Sequence, residues 1–455
     1  MKKKRWTLVR IMIPGFAALI FLGGCLLALP VSNADGTWLN FVDALFTACT
    51  CVCVTGLTTI VPATQFSIFG KAILLILIQI GGIGILVSAT YLMILLKKRV
   101  SLGTRVLIQN RFSMKTMSGL VKMLIYVVQG TFLVEGIGAL CMAVRFVPEY
   151  GLLKGICFSV FHSVSAFCNA GVDLLGSTSL QKYQSDPWML LVVSLLVIIG
   201  GLGYLVWKDL TVALQKIRKK ELGLRKAIEK LQLHTKLTLI MTAGLLLFGM
   251  IFFVAAEWNN GKTMGNLSVG DKLLTGFFQS MTVRTAGFYT ISQASLRESS
   301  KLAACMLMFI GGSPVGTAGG VKTVTMAVLA LTCWSIMKGR TETSCFKRRI
   351  ADETVRTAML VMSVSLVLTL VGTMILSLLE PGIPLISALY EVTSAVATVG
   401  LTADVTPFLG TPAKLLVILL MYMGRIGPIT IPLVIASKLG KKGQPLYPEE
   451  HVVVG

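Results

Sequence analysis

Gly56, Gly171, Gly287 and Gly400 stand at the same point of a pattern that recurs through the chain at intervals of 115, 116 and 113 residues. Each lies ten residues after an aromatic side chain (Phe46, Phe161, Phe277, Tyr390) and is followed by an apolar one (Leu57, Val172, Phe288, Leu401). A second signature trails each glycine by 24 to 29 residues. It reads Gly81-Gly82-Ile83-Gly84, Gly200-Gly201-Leu202-Gly203, Gly311-Gly312-Ser313-Pro314 and Gly424-Arg425-Ile426-Gly427. Two linked signatures repeated four times predict four similar units that stack into one body, none able to enclose a core alone. The units are expected near residues 1–115, 116–232, 233–350 and 351–455, the last including a C-terminal tail.

Composition sets the solvent. Of 455 residues 55% are apolar and only 14% charged, with a mean hydropathy of +0.80. Several stretches exceed the roughly 18 apolar residues that cross a bilayer. Each unit reads as an outgoing apolar helix, a short re-entrant segment and a returning apolar helix. Outgoing helices are expected near 8–30, 119–146, 235–257 and 355–379, and returning helices near 68–96, 187–207, 302–336 and 412–437. The expected fold is an all-α membrane protein, with four helix–re-entrant loop–helix repeats around a pseudo-fourfold pore.

The net charge of +22 is not spread evenly. Thirty of the 42 lysines and arginines fall in residues 2–10, 97–122, 208–236, 338–356 and 438–442. All five lie on one side of the expected spans, which is the positive-inside asymmetry of a polytopic membrane protein, expected in the cell (plasma) membrane, rather than a nucleic-acid footprint. Both termini are then cytoplasmic, and the basic clusters face anionic headgroups of the lipid bilayer. The Lys- and Glu-rich stretch 208–230 is expected to carry a helix into the cytoplasm as a solvated face. The N-terminal Lys2-Lys3-Lys4-Arg5, apolar run and Leu22-Gly23-Gly24-Cys25 imitate a lipoprotein signal. The apolar run continues through Leu29, however, so a retained first span is expected. The ten cysteines form no disulfide framework. Cys49, Cys51 and Cys53 alternate without the paired spacing or histidines of a zinc site.

Irregular backbone at membrane depth survives only where it lines water or is buried in protein. A helix ending at the axis aims its carbonyls and negative dipole end there, which favours a cation. The glycine after it lets the chain turn back without filling the lumen. The oxygens expected to face an ion belong to Val54, Thr55 and Gly56; Asn169, Ala170 and Gly171; Thr285, Ala286 and Gly287; and Thr398, Val399 and Gly400. None is charged, so the ring suits a weakly hydrated monovalent cation, whereas a divalent ion would call for carboxylates. The trailing Gly-Gly-x-Gly set is expected to serve close packing of the returning helix on this segment.

The third returning helix is interrupted by Gly311-Gly312-Ser313-Pro314-Val315-Gly316-Thr317-Ala318-Gly319-Gly320, which cannot hold a helix. A loop at that depth lines a cavity and is a candidate gate; a passive kink is the competing reading. The expected gating residues are Gly311, Gly312, Ser313, Pro314, Gly316, Thr317, Gly319, Gly320, Lys322 and Arg425. Three ionisable residues fall within spans: Glu135, Lys322 and Arg425. Arg425 has two candidate partners, the loop carbonyls or Glu135. Lys322 either repels cations or snorkels inward.

These residues also resemble the Trk/Ktr/HKT superfamily of potassium transporters, most of all its KtrB-type membrane subunits, over essentially the whole chain. The specific stretches are Asp43-Ala44-Leu45-Phe46-Thr47, Val54-Thr55-Gly56-Leu57, Ser165-Ala166-Phe167 with Asn169-Ala170-Gly171, Arg284-Thr285-Ala286-Gly287-Phe288, Thr398-Val399-Gly400-Leu401 and Gly424-Arg425-Ile426-Gly427-Pro428. The resemblance implies potassium uptake through a selectivity filter containing the four glycines, with gating by 311–320 and Arg425. It also implies a homodimer on a cytoplasmic, KtrA-like ring of nucleotide-binding subunits. This chain carries no Gly-x-Gly-x-x-Gly fingerprint after a strand, so any nucleotide belongs to the partner and no cofactor is expected here. Gly56, where family members with serine tend to transport sodium, favours potassium. Met281 departs from the pattern, because Thr50, Ser165 and Ser394 hold the same place in the other repeats.

Two alternatives remain at this point. A sodium- or proton-coupled cation symporter would need a membrane carboxylate, and only Glu135 is placed deep in a span. A membrane enzyme would need converging catalytic groups, yet His162, His234 and His451 lie far apart in sequence. His162, inside the second re-entrant segment, is expected to be structural.

Overall fold

The computed structural model describes residues 8–96, 109 and 119–427. Lys2 to Arg5, the basic cluster at 97–122 apart from Lys122, the final basic cluster, His451 and the C-terminal tail therefore lie outside the described residues.

The outgoing helices run Leu8–Ala28, Leu120–Tyr150, Leu233–Glu257 and Asp352–Leu379, close to the ranges expected from hydropathy. The last three are long and apolar enough to cross a bilayer. Their outer faces expose large apolar side chains, with Leu140 73%, Ile251 63% and Leu378 78% accessible. Such faces are stable against lipid rather than water.

A short helix follows each outgoing helix: Phe41–Cys53, Leu152–Cys168, Val269–Thr282 and Leu385–Ala397. All four begin upstream of the aromatic residue that marked them in sequence. Polar caps start several helices of the fold. Asn40 accepts the N–H of Val42, Ser67 that of Gly70, Asp186 that of Trp188 and Ser268 that of Asp271. The short helices bury nearly every side chain of their last two turns, including Phe46, Phe167, Phe278 and Tyr390. They are the centre of the molecule, and the long helices are its wall.

The returning helices differ from the expectation of single rods. The first is two helices, Ile68–Ile83 and Ile85–Leu95, bent by 102° at Gly84. The second is Pro187–Leu202 and Tyr204–Arg218, bent by 99° at Gly203. The third is Glu298–Phe309 and Thr323–Met337, with the expected glycine-rich break between them. The fourth, Thr411–Ile426, ends at Gly427. Gly84, Gly203 and Gly427 share a positive φ of 94°, 85° and 99°, a conformation that stops a helix of L-residues. The last glycine of the signature therefore breaks the helix, while the first packs in every unbroken copy and the second packs in two copies, Gly82 against Cys168 and Gly312 against Ala318. A methyl group on Gly81, Gly200 or Gly424 would collide with the carbonyl oxygens of Val52, Phe167 and Val396 respectively. Each of those carbonyls lies four residues before its repeat's central glycine. The charged helix Tyr204–Arg218 turns away from its span instead of extending it, which corrects the expectation for residues 208–230. A separate short helix, Leu224–Lys230, completes that connector.

Candidate functional site

Three of the four short helices end directly on a left-handed residue, and that of the third repeat, which stops at Thr282, reaches one at Thr285. Val54, Asn169, Thr285 and Thr398 each occupy the left-handed region, at φ 56°, 60°, 69° and 52°. Three of them carry β-branched side chains, for which that conformation is strained. Gly56, Gly171, Gly287 and Gly400 follow two residues later, also with positive φ of 104°, 65°, 82° and 94°. In three repeats the N–H after the left-handed residue caps the helix. Thr55 bonds Thr50 O, Ala170 bonds Ser165 O and Val399 bonds Ser394 O, each at 2.8 Å.

The glycines close a cycle. A methyl group on Gly56 would lie 2.6 Å from the Ala170 carbonyl oxygen, one on Gly171 2.7 Å from that of Ala286, and one on Gly287 2.9 Å from that of Val399. One on Gly400 would strike the carbonyl of Thr55 and complete the circuit. Each glycine thus abuts the carbonyl just before the glycine of the next repeat, in chain order. Eight of the twelve residues named from sequence meet here, the four glycines and the carbonyl-bearing Thr55, Ala170, Ala286 and Val399. The side-chain hydroxyls of Thr55 and Thr398 are buried with no hydrogen-bond partner among the described residues. A cluster of acceptors and hydroxyls without a fixed charge fits a monovalent cation better than an anion.

Behind each glycine, the segment returning from the ring is tied to its own short helix by a different chemistry. In the first repeat Thr59 donates to Asp43 at 2.7 Å, and Lys414 pairs with the same carboxylate at 2.6 Å. In the second, His162 Nδ1 lies 2.7 Å from the Phe158 carbonyl, and Nε2 accepts the Leu174 N–H at 3.2 Å. That pairing requires the neutral, Nδ1-protonated ring and gives His162 a structural task, as expected. In the third, Gln279 and Gln293 exchange hydrogen bonds at 2.6 and 3.1 Å while Tyr390 donates to Gln293 at 2.9 Å. In the fourth, fully buried Glu391 accepts from Thr402 at 2.8 Å and from Thr406. Asp43, Gln279 and Glu391 were not singled out for this role from sequence, because they share neither residue type nor offset.

Met281 is compensated by its neighbour. Ser165 donates to the Val172 carbonyl at 2.6 Å, and Thr282 donates to the equivalent Phe288 carbonyl from one position further along. Thr50 and Ser394 instead accept the N–H of Gly56 and Gly400, at 2.8 and 3.1 Å. The third segment is supported differently, as the departure at Met281 suggested.

The loop of residues 310–322 lies directly beneath this ring. Thr317 Oγ1 donates toward Asn169 Oδ1 at 3.0 Å and lies 3.2 Å from the Phe167 carbonyl. A methyl group on Gly319 would strike Thr398. Backbone bonds from Ser313 to Gly201 O (2.9 Å) and from Tyr204 to Val315 O (3.2 Å) seat the loop in the bend of the second returning helix. Of the two partners open to Arg425, the loop is occupied: Nη1 donates to Thr317 O at 2.6 Å and Nη2 to Gly81 O. Lys322 Nζ turns back on Ala318 O at 2.7 Å and Gly319 O at 3.3 Å. Gly311, Gly312, Pro314 and Gly320 form the two arms of the loop. Val315, Gly316, Gly319, Lys322 and Arg425 line a cavity of about 190 Å³, and none of the twelve ring-segment residues is among its lining. Glu135 is buried, and its carboxylate accepts instead from Gln79 at 3.0 and 3.1 Å and from Cys168, the neighbour of Asn169. Among the described residues no cluster of three potential metal-ligating side chains occurs, and Cys49 and Cys53 face each other 3.8 Å apart as buried thiols.

The sequence matches the TrkH cation transport protein family over residues 21–442. This chain belongs to that family, a family of membrane cation transporters rather than of enzymes. It is 38% identical to the potassium/sodium uptake protein NtpJ of Enterococcus hirae, over 100% of this chain and 98% of that protein. It is 35% identical to the Ktr system potassium uptake protein B of Bacillus subtilis, over 99% and 97% of the two chains. The fold matches the crystal structure of the potassium transporter TrkH from Vibrio parahaemolyticus with a TM-score of 0.71 at 17% identity, covering 95% of this chain and 86% of that one.

Proposed function

We propose that this chain is the ion-conducting subunit of a potassium uptake system in the cell membrane. The observation that carries this reading is the closed cycle of Gly56, Gly171, Gly287 and Gly400 with the carbonyls of Thr55, Ala170, Ala286 and Val399 between them. Four helix–pore loop–helix repeats, bounded near 115, 232 and 350, surround one axis. The short helices are pore helices, and the residues from the left-handed position to the glycine in each repeat form the selectivity filter. Ring carbonyls exchange for the hydration shell of a weakly hydrated ion, and glycine keeps the lumen free of side chains. The loop at 311–320, held by Arg425 and Lys322, is the gate between filter and inner cavity.

The relatives named for Ktr systems support a membrane subunit working with partners. The partner in this reading is a cytoplasmic, nucleotide-binding, KtrA-like ring under a homodimer of this chain. The positive-inside charge pattern supports cytoplasmic termini.

A second reading, in which sodium takes part in transport, is favoured by the name of the Enterococcus hirae relative. Purified protein in liposomes separates the two. Potassium uptake driven by a potassium gradient alone supports the passive pore. Uptake that requires an inward sodium or proton gradient supports coupled symport instead.

A further inference from the structure

Arg284 is buried to 8% exposure beside the third filter segment, and its guanidinium joins none of the ion pairs formed among the described residues. Taking such a charge out of water is unfavourable unless fixed dipoles receive it. Two carbonyls do. Nη1 lies 3.4 Å from Thr242 O in the third outgoing helix, and Nη2 lies 3.4 Å from Gly311 O. Nε is buried with no acceptor.

The place of this arginine in the repeat pattern gives it meaning. Three residues before the central glycine, the other repeats hold Cys53, Cys168 and Ala397. Small side chains are required there, because the returning helix packs close: a methyl group on Gly82 would meet Cys168 Sγ, and Gly81 and Gly424 press on the carbonyls of Val52 and Val396. In the third repeat the returning helix is replaced by extended chain at 310–322, which leaves room for a long side chain. Gly311 is the counterpart of Gly81, Gly200 and Gly424. Its connection to the short helix is made through a guanidinium instead of through backbone contact.

Gly311 is also the neck of the gate loop. Its N–H bonds Val321 O at 2.9 Å, Val321 N–H bonds Phe309 O at 3.0 Å, and Thr323 N–H bonds Gly312 O at 3.0 Å. These bonds clasp the two arms of the loop, so a hold on Gly311 is a hold on both. Arg425 grips the loop at its tip, through Thr317, from the fourth repeat. We propose that Arg284 is a positioning residue that clamps the neck of the 311–320 loop to the third filter segment and keeps the loop closed. This rests on the pore reading above.

The test uses the full chain in liposomes with Val315→Cys as a reporter on the cavity side of the loop. Modification at that position by a membrane-impermeant thiol reagent is read by peptide mass spectrometry, with potassium and sodium flux measured alongside. Arg284→Gln is expected to raise the modification rate and the basal potassium flux about tenfold, the scale of one lost charge-assisted hydrogen bond. The potassium-over-sodium preference stays within about twofold, because the ring carbonyls keep their own caps. Arg284→Lys, with one amine for two carbonyls, falls between wild type and Arg284→Gln. An unchanged or lowered modification rate in Arg284→Gln overturns the clamp. If that variant does not fold, Arg284→Lys decides: an intermediate rise supports the clamp, and a wild-type rate overturns it. Gly400→Asp in the same assay separates the two levels. When it alters flux or selectivity while the Arg284 variants match wild type, only the clamp is wrong. When it changes nothing, the pore reading has failed and the clamp with it.

Discussion

A carboxylate at Asp43, an imidazole at His162, an amide at Gln279 and a second carboxylate at Glu391 perform one task in different chemical forms: each ties the segment beyond a central glycine to the helix before it. The glycines recur because only one residue type fits a positive φ pressed against a neighbouring carbonyl. The ties vary because any buried acceptor that is satisfied will serve. That is why self-comparison of the sequence finds Gly56, Gly171, Gly287 and Gly400 but not Asp43, Gln279 or Glu391. Replacing Glu391 by Gln leaves one oxygen to receive two threonine hydroxyls. The expected cost is about 2 kcal/mol of stability, seen as a lower Tm together with weaker potassium-over-sodium preference. An unchanged Tm would show that the carboxylate is not needed as acceptor. At the ring itself, Gly56→Ser places a side chain against the Ala170 carbonyl at φ 104°. Its strain is of order 1–3 kcal/mol. Competitive uptake of potassium and sodium should show a reduced potassium preference, and an unaltered ratio would count against Gly56 as part of the filter.

At the scale of elements, hydropathy located the ends of the outgoing helices to within four residues, because a span of apolar residues is a strong signal. It could not show the right-angle breaks at Gly84 and Gly203, since apolar composition continues through both. The signal lay in the last glycine of each Gly-Gly-x-Gly copy, which the packing reading of the whole motif obscured. Close packing holds for the first glycine and, at Gly82 and Gly312, for the second. The break at 310–322 was legible from its own glycines and proline, but not its seat in the bend of the second returning helix. Gly203→Ala tests that seat. A methyl group there would lie 2.6 Å from Pro314 O at φ 85°, so the variant should lose about 1–3 kcal/mol of stability and alter basal flux. Wild-type stability and flux would mean that loop and bend move independently. Arg425→Gln frees Thr317 O and Gly81 O, and basal potassium flux should rise on the order of tenfold. Flux equal to or below that of wild type would contradict a latch at Arg425.

For the whole molecule, four repeats contribute one short helix each to a buried centre that none could enclose alone. The charge distribution predicts how that body sits in the membrane. Gly261 and Gly223 are exposed, with open space around each, and lie on opposite sides of the third outgoing helix. In intact cells an impermeant thiol reagent should modify Gly261→Cys and reach Gly223→Cys only after permeabilisation; the reverse pattern would invert the topology. The central claim is that an ion passes through the ring of glycines. Potassium and sodium flux into liposomes, wild type beside Gly400→Asp, tests it most directly. Wild type should pass potassium in large excess over sodium, and a folded Gly400→Asp, with a charged side chain pressed against Thr55 O, should lose flux or selectivity. Unchanged flux and selectivity in that variant would mean that the glycines serve packing alone, and that the ion crosses elsewhere.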